Sequence, residues 1–70
     1  MNSRTYSVTI THPTNCYSGT HTVSCLSEGD TIAVRSSLFG RSRDYGGSDT
    51  EAIRAFMDEH GLRVTRIVSA

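Results

Sequence analysis

Four side chains able to hold a metal ion or carry a nucleophile, His12, Cys16, His21 and Cys25, fall within fourteen residues. Zinc takes such thiolate and imidazole ligands in a tetrahedron. A strand pairing that sets His12 opposite His21 would bring two of them together, with Cys16 in the loop above. Cys25 is harder to recruit, because four strand residues separate it from His21, about 13 Å. The same separation disfavours a Cys16–Cys25 disulfide, whose Cα atoms must approach within about 7 Å. The paired Cys-x-x-Cys knuckles of strong zinc motifs are missing. A Cys16 thiolate held by His12 or His21 is chemically reasonable, yet no oxyanion hole or orienting third group accompanies it. Asp58 and Glu59 are adjacent and diverge on a helix, as a solvated face does. The expectation is therefore no catalytic centre, no metal and no cofactor.

The second concentration of chemistry is the stretch from Phe39 to Gly47. It holds two arginines, two aromatics and three glycines. That composition suits a protein-recognition hot spot or a contact to single-stranded nucleic acid. Phe39, Arg41, Arg43, Asp44 and Tyr45 are the candidate partner-binding residues. Gly46-Gly47 ahead of a helix start resembles a phosphate cradle, but Asp44, Asp49 and Glu51 already bring negative charge there.

The elements that must position these groups follow from hydrophobic period. Tyr6, Val8, Ile10 and His12 alternate with Thr5, Ser7, Thr9 and Thr11, which is a half-buried strand. Alternation resumes with His21, Val23 and Cys25 inward, and after the polar Ser27–Asp30 turn with Ile32 and Val34 inward. The expected pairs are Ile10 with Val23, Val8 with Cys25, and Cys25 with Ile32. A one-residue slip would expose an apolar set, so parity is better determined than register. Residues 36–47 show no clear period and are expected as a long loop, with Leu38-Phe39 extending the third strand or anchoring the loop. Ser48 to Glu51 has the form of a capping box. Ala52, Ile53, Phe56, Met57 and His60 then recur as one helical stripe, and Gly61 is a left-handed stop. Leu62 to Val68 reads as a last strand, broken at Ile67-Val68 by a bulge or by burial on both faces.

The expected fold is thus α+β in the order β-β-β-α-β. A single domain over residues 1–70 would hold a four-stranded, mostly antiparallel sheet with one helix on one face. The crossover would return the last strand parallel to the first, in spatial order 3-2-1-4 or 1-2-3-4. At 70 residues a doubly wound nucleotide-binding fold, a TIM barrel and a two-domain enzyme are excluded. Seven arginines balance seven acids, against a grip on nucleic acid by bulk charge. Serine and threonine supply 19 residues, as strands with one wet face require. No apolar run approaches the roughly 20 residues of a membrane span, and a cytoplasmic, soluble chain, monomeric or homodimeric, is expected.

Three functions remain open on these residues. The first is a non-enzymatic module that occupies a partner's surface through the Phe39–Tyr45 stretch. The second is a nucleic-acid binder using Arg35, Arg41, Arg43, Arg63 and Arg66. The third is a metal or thiol protein using His12, Cys16 and His21. In size and architecture class, with its capped Ser48–Glu51 helix and Arg-only basic set, the chain resembles small inhibitors encoded by phages and mobile elements, such as anti-CRISPR proteins. That resemblance implies binding and masking of a protein partner such as a ribonucleoprotein defence complex, and carries no functional residue with it.

Overall fold

The computed structural model describes residues 2–14 and 17–70. Their order is β1 (Asn2–Thr11), β2 (Gly19–Glu28), β3 (Thr31–Ser36), β4 (Gly40–Tyr45), α1 (Asp49–Glu59) and β5 (Arg63–Ser69). The architecture is α+β, with five antiparallel-paired strands in the order β4-β3-β2-β1-β5. Two expectations are corrected here. The sheet has five strands where four were expected, and the last strand runs antiparallel to β1. The second correction follows from the first. An extra strand in the meander reverses the chain once more before the helix, so the strand leaving the helix arrives pointing the other way. The expected 3-2-1 neighbours followed by the final strand persist, with β4 added at the free edge of β3.

The stretch expected as a loop is β4, and its polar sequence explains the miss. Ser42 and Tyr45 are its buried residues, separated by two exposed ones. The pairing with β3 is irregular between Ala33 and Arg35. There the Val34 amide donates to Ser42 Oγ at 2.8 Å, so a side chain replaces the missing ladder bond. The turn into β4 is local chemistry: buried Ser36 accepts from the amides of Leu38 and Phe39 at 3.0 and 3.3 Å. Gly40 follows at φ 74°, a left-handed conformation in which glycine is unstrained.

Register also departs from expectation, with parity retained. Val23 pairs with Tyr6, His21 with Val8 and Cys25 with Arg4. Across the next join Cys25 faces Val34. His12 and His21 are therefore not cross-strand neighbours. Alternation constrains which face a side chain occupies, and a slip by an even number of residues leaves every apolar group inside. In β5 the bulge falls opposite Thr9 and Ile10, where Thr65 is the extra residue and its hydroxyl donates to the Thr9 carbonyl at 3.2 Å. Ile67 thereby returns to the core side and Val68 faces out.

The core lies between the sheet and α1. Val8, Ile10, Val23, Cys25 and Val34 from the sheet meet Ala52, Ile53, Phe56 and Met57 from the helix, with Tyr45, Leu62 and Val64 at the flanks. The capping box forms, Ser48 Oγ accepting from the Glu51 amide while Glu51 accepts from the Ser48 amide, each at 3.2 Å. At the other end the Gly61 amide donates to Asp58 O and the Leu62 amide to Met57 O, both at 2.9 Å. This Schellman stop places Leu62 against Met57 in the core.

One polar clamp ties the helix start to the sheet. Arg4 donates from Nε and Nη2 to the two Asp49 carboxylate oxygens at 2.6 and 2.9 Å, and from Nη2 to Ser27 Oγ at 2.8 Å. The Tyr6 hydroxyl donates to the same carboxylate. These donors, Arg4 foremost, hold the Asp49 carboxyl below its ordinary value of 3.8 against the opposing effect of burial. A carboxylate with a depressed folded pKa contributes stability that is complete above the unfolded value. That stability is lost as pH falls through the folded value. Asp49→Ala should lower the unfolding free energy by roughly 2 kcal/mol, the scale of hydrogen bonds to a charged group, as read by urea titration at pH 7. The gap between wild type and Asp49→Ala should close progressively below pH 4.

Candidate functional site

Three chain segments meet at the end of the sheet where α1 finishes. They are the β1–β2 connection, the β3–β4 turn and the helix C-terminus, and each contributes an aromatic ring. Phe39 stacks on His60 with centroids 3.9 Å apart and planes inclined by 5°. Tyr17 meets Phe39 edge-on at 5.6 Å. Phe56, nearly buried, closes the root of the group edge-on to both Phe39 and His60, at 6.1 and 5.1 Å. The result is a continuous ledge, with Tyr17 half in solvent at 50% exposure, His60 exposed and Phe39 half-buried.

Tyr17 is held there against its backbone preference. Its φ of 62° makes it the non-glycine residue with positive φ among those described, a conformation costing an L-residue about 1–2 kcal/mol. The His21 ring steadies it, with Nε2 2.7 Å from the Tyr17 carbonyl. A carbonyl only accepts, so Nε2 is the donor in this contact. His12 is set differently. Its Nδ1 accepts from the Thr14 amide at 3.2 Å and lies 2.7 Å from the Thr14 hydroxyl. The two imidazoles thus serve separate local turns.

The five residues expected to form the partner site are distributed over both sides of β4. Phe39 joins the ledge. Arg41 pairs with Glu28 and, at 3.6 Å, with Asp44 on the helix-free side of the sheet. Arg43 lies on the helix side, 2.8 Å from Glu59, with its guanidinium 4.4 Å above the Tyr45 ring. That ion pair raises the Arg43 pKa and lowers that of Glu59. Tyr45 is a core residue at 6% exposure. The structure therefore brings Arg43 and Tyr45 together, and Arg41 with Asp44, without gathering all five on one surface.

Tyr17 and His60 were missing from the sequence-derived site. A tyrosine leading into the Ser18-Gly19 pair was the available signal for the first. His60 falls on the apolar stripe by spacing, but it is the helix C-cap, where the chain turns away and the ring can lie over Phe39.

Metal and thiol chemistry gain no built centre among the described residues, where no group of three His, Cys, Asp or Glu side chains converges. The roles considered for Cys16 lie outside the described residues. Cys25 is fully buried, and burial pushes its thiol up to about 11, opposite to the direction that makes a thiolate nucleophile. A cleft of about 500 Å³ lies between the end of β1, the helix terminus and the start of β5, with His12, Asp58 and Arg63 on its walls. No helix among the described residues is long and apolar enough to cross a membrane. No family model matches the chain, and neither a curated protein nor a solved structure is found similar to it.

Tyr45 offers a check on the β4 geometry. Its hydroxyl is buried without a hydrogen-bond partner, beneath the Arg43–Glu59 pair, and burial raises its pKa. An unsatisfied buried hydroxyl costs about 1–3 kcal/mol. Tyr45→Phe should accordingly leave the protein as stable as wild type or raise the unfolding free energy by up to about 1 kcal/mol, measured by thermal and urea unfolding.

Proposed function

We propose that the chain is a non-enzymatic module that binds and masks a macromolecular partner, with the Tyr17–Phe39–His60 ledge as its anchor on a protein surface. The observation that carries this reading is the ledge itself: rings from three separate segments in stacked and edge-on contact, two of them exposed, and including a tyrosine kept in a strained backbone conformation. Strain of this kind persists where surrounding contacts over-determine it, and it concentrates at functional positions. Aromatic side chains dominate protein interfaces because they bury large areas with few rotatable bonds. Phe39 lies at the start of the segment that the sequence marks for partner contact, and Arg43 of that segment lies on the helix side of the sheet, held by Glu59.

The non-enzymatic character rests on scale. A core of about a dozen side chains leaves little material to wall a reaction chamber, so the exterior is the working part. Size and architecture class resemble those of the small phage and mobile-element inhibitors, and a host ribonucleoprotein defence complex is accordingly the partner with which to begin. The binding role and the inhibitory role are separable: the first concerns the ledge, the second concerns what it covers.

Tyr17→Gly tests the reading because stability and binding should move apart. Glycine relieves the positive-φ strain while losing an edge-on aromatic contact of about 0.5–1.5 kcal/mol. The unfolding free energy should therefore change by less than about 1 kcal/mol. Partner retained by wild type from a host lysate at high salt should be lost with Tyr17→Gly and Phe39→Ser, and retained by Asp30→Ala at the far turn. Equal retention by wild type and Tyr17→Gly would remove the ledge from the interface.

A further inference from the structure

The single helix covers one side of the sheet, and the whole opposite side carries no element of the described chain. Strand parity puts Thr5, Ser7, Thr9 and Thr11 of β1 on it, together with Thr20, Thr22 and Ser24 of β2. Arg35 lies on this face opposite Ser24, and Arg66 lies opposite Thr9. Arg63, opposite Thr11, stands at the corner where the face meets the cleft at the start of β5.

The arginines divide by side. Arg4 and Arg43, on the helix side, are engaged by Asp49 and Glu59, and Arg54 donates to the Val64 carbonyl at 3.1 Å. Arg41, on the helix-free side opposite Arg35, is engaged by both Glu28 and Asp44. Among the described residues, Arg35, Arg63 and Arg66 are the arginines with neither a carboxylate within 4.0 Å nor a side-chain hydrogen bond. All three are exposed. A chain with zero net charge therefore still has a net cationic face: Glu28 and Asp44 lie on it beside Arg41, where four arginines stand against these two acids, and the remaining acids sit on the helix and at the β2–β3 turn.

We infer that this helix-free face binds the sugar–phosphate backbone of nucleic acid. Arg66 and Arg35 are separated by three strand spacings and by four residues along β2, a diagonal of about 20 Å. The ground between them is filled by threonine and serine hydroxyls, which donate to phosphate oxygens as readily as they solvate. Guanidinium forks take phosphate in two-point contacts. No aromatic side chain lies on this face among the described residues, so base stacking contributes nothing there and recognition is indifferent to sequence. Charge complementarity selects the occupant: an apolar protein surface would leave three guanidinium groups buried without partners, whereas a phosphate ladder satisfies each of them. This surface is separate from the aromatic ledge, and a protein–nucleic-acid complex would offer a counterpart to both.

The test is fluorescence anisotropy of labelled 20-mers, one single-stranded RNA, one single-stranded DNA and one duplex DNA, against the intact chain between 50 and 200 mM salt. Three phosphate contacts give a slope of log affinity on log salt of about −2 for single strands and about −2.7 for duplex. Affinity should then fall roughly 15- to 40-fold across that range. The three probes report which form of the backbone fits the diagonal best. Arg35→Ala, Arg63→Ala and Arg66→Ala should each flatten the slope by about one unit, while Arg54→Ala, which removes the same charge from the helix side, should leave it unchanged. Circular dichroism confirms that each variant is folded, and the three single replacements are read independently. Tyr17→Gly should keep the full slope, which separates this inference from the protein-anchor reading. No binding of any probe at 50 mM salt, or equal weakening by Arg54→Ala, overturns it.

Discussion

The Asp49 carboxylate, gripped by Arg4 and Tyr6 of the first strand, is the contact on which the arrangement of the molecule depends. It joins residues 45 positions apart and pins the N-terminus of the helix over the beginning of β1. The same carboxylate sits in the first turn of α1, where the positive end of the helix dipole favours it. With one end pinned and an eleven-residue helix, the other end must lie at the opposite margin of the sheet, and there His60 comes to rest on Phe39. The clamp and the ledge are the two ends of one rigid lever. Between them the apolar stripe of α1 covers β1, β2 and β3, and no second helix exists among the described residues to cover the other face.

That economy produces the division of surfaces. Acids serve the helix: Glu51 closes the capping box, Asp49 makes the clamp, and Glu59 holds Arg43 over Tyr45. The sheet's free face is left to hydroxyls, unpaired arginines and the Arg41–Glu28–Asp44 group. Both edge strands carry an irregularity, at Ser42 in β4 and at Thr65 in β5, and each also bears arginine. Bulges and charges at sheet edges oppose the addition of a further strand. The surfaces left for partners are accordingly the flat face and the aromatic end.

The candidate site was partly legible in the residues. The Phe39–Tyr45 stretch was singled out by its arginines, aromatics and glycines, and Phe39 does lie at the exposed ledge. Its companions there come from elsewhere in the chain. Tyr17 reaches Phe39 because the β1–β2 and β3–β4 connections emerge at the same end of an antiparallel sheet, and His60 reaches it because the helix returns to that end. The other members of the stretch became a strand, since β3 offered an unpaired edge and Ser42 supplied the bond that the irregular ladder lacks. Composition identified chemistry; adjacency in space redistributed it.

The amino-acid sequence by itself determined the features that depend on a few neighbouring residues. These are the capped start of α1 at Ser48, its apolar stripe, its stop at Gly61, and the inward parity of Val8, Ile10, Val23, Cys25, Ile32 and Val34. Such features arise from amide capping, backbone sterics and the side-chain period, all of which act within one or two turns or along one strand. Tertiary structure alone decided the register of β1 on β2, the existence of β4, the direction of β5 and the meeting of Tyr17, Phe39 and His60. Parity is unchanged by an even-numbered slip, and a polar segment takes up a strand when a neighbour presents unpaired amides and carbonyls. Those choices are settled by contacts such as Arg4 with Asp49, whose partners lie too far apart along the chain for any local signal to report.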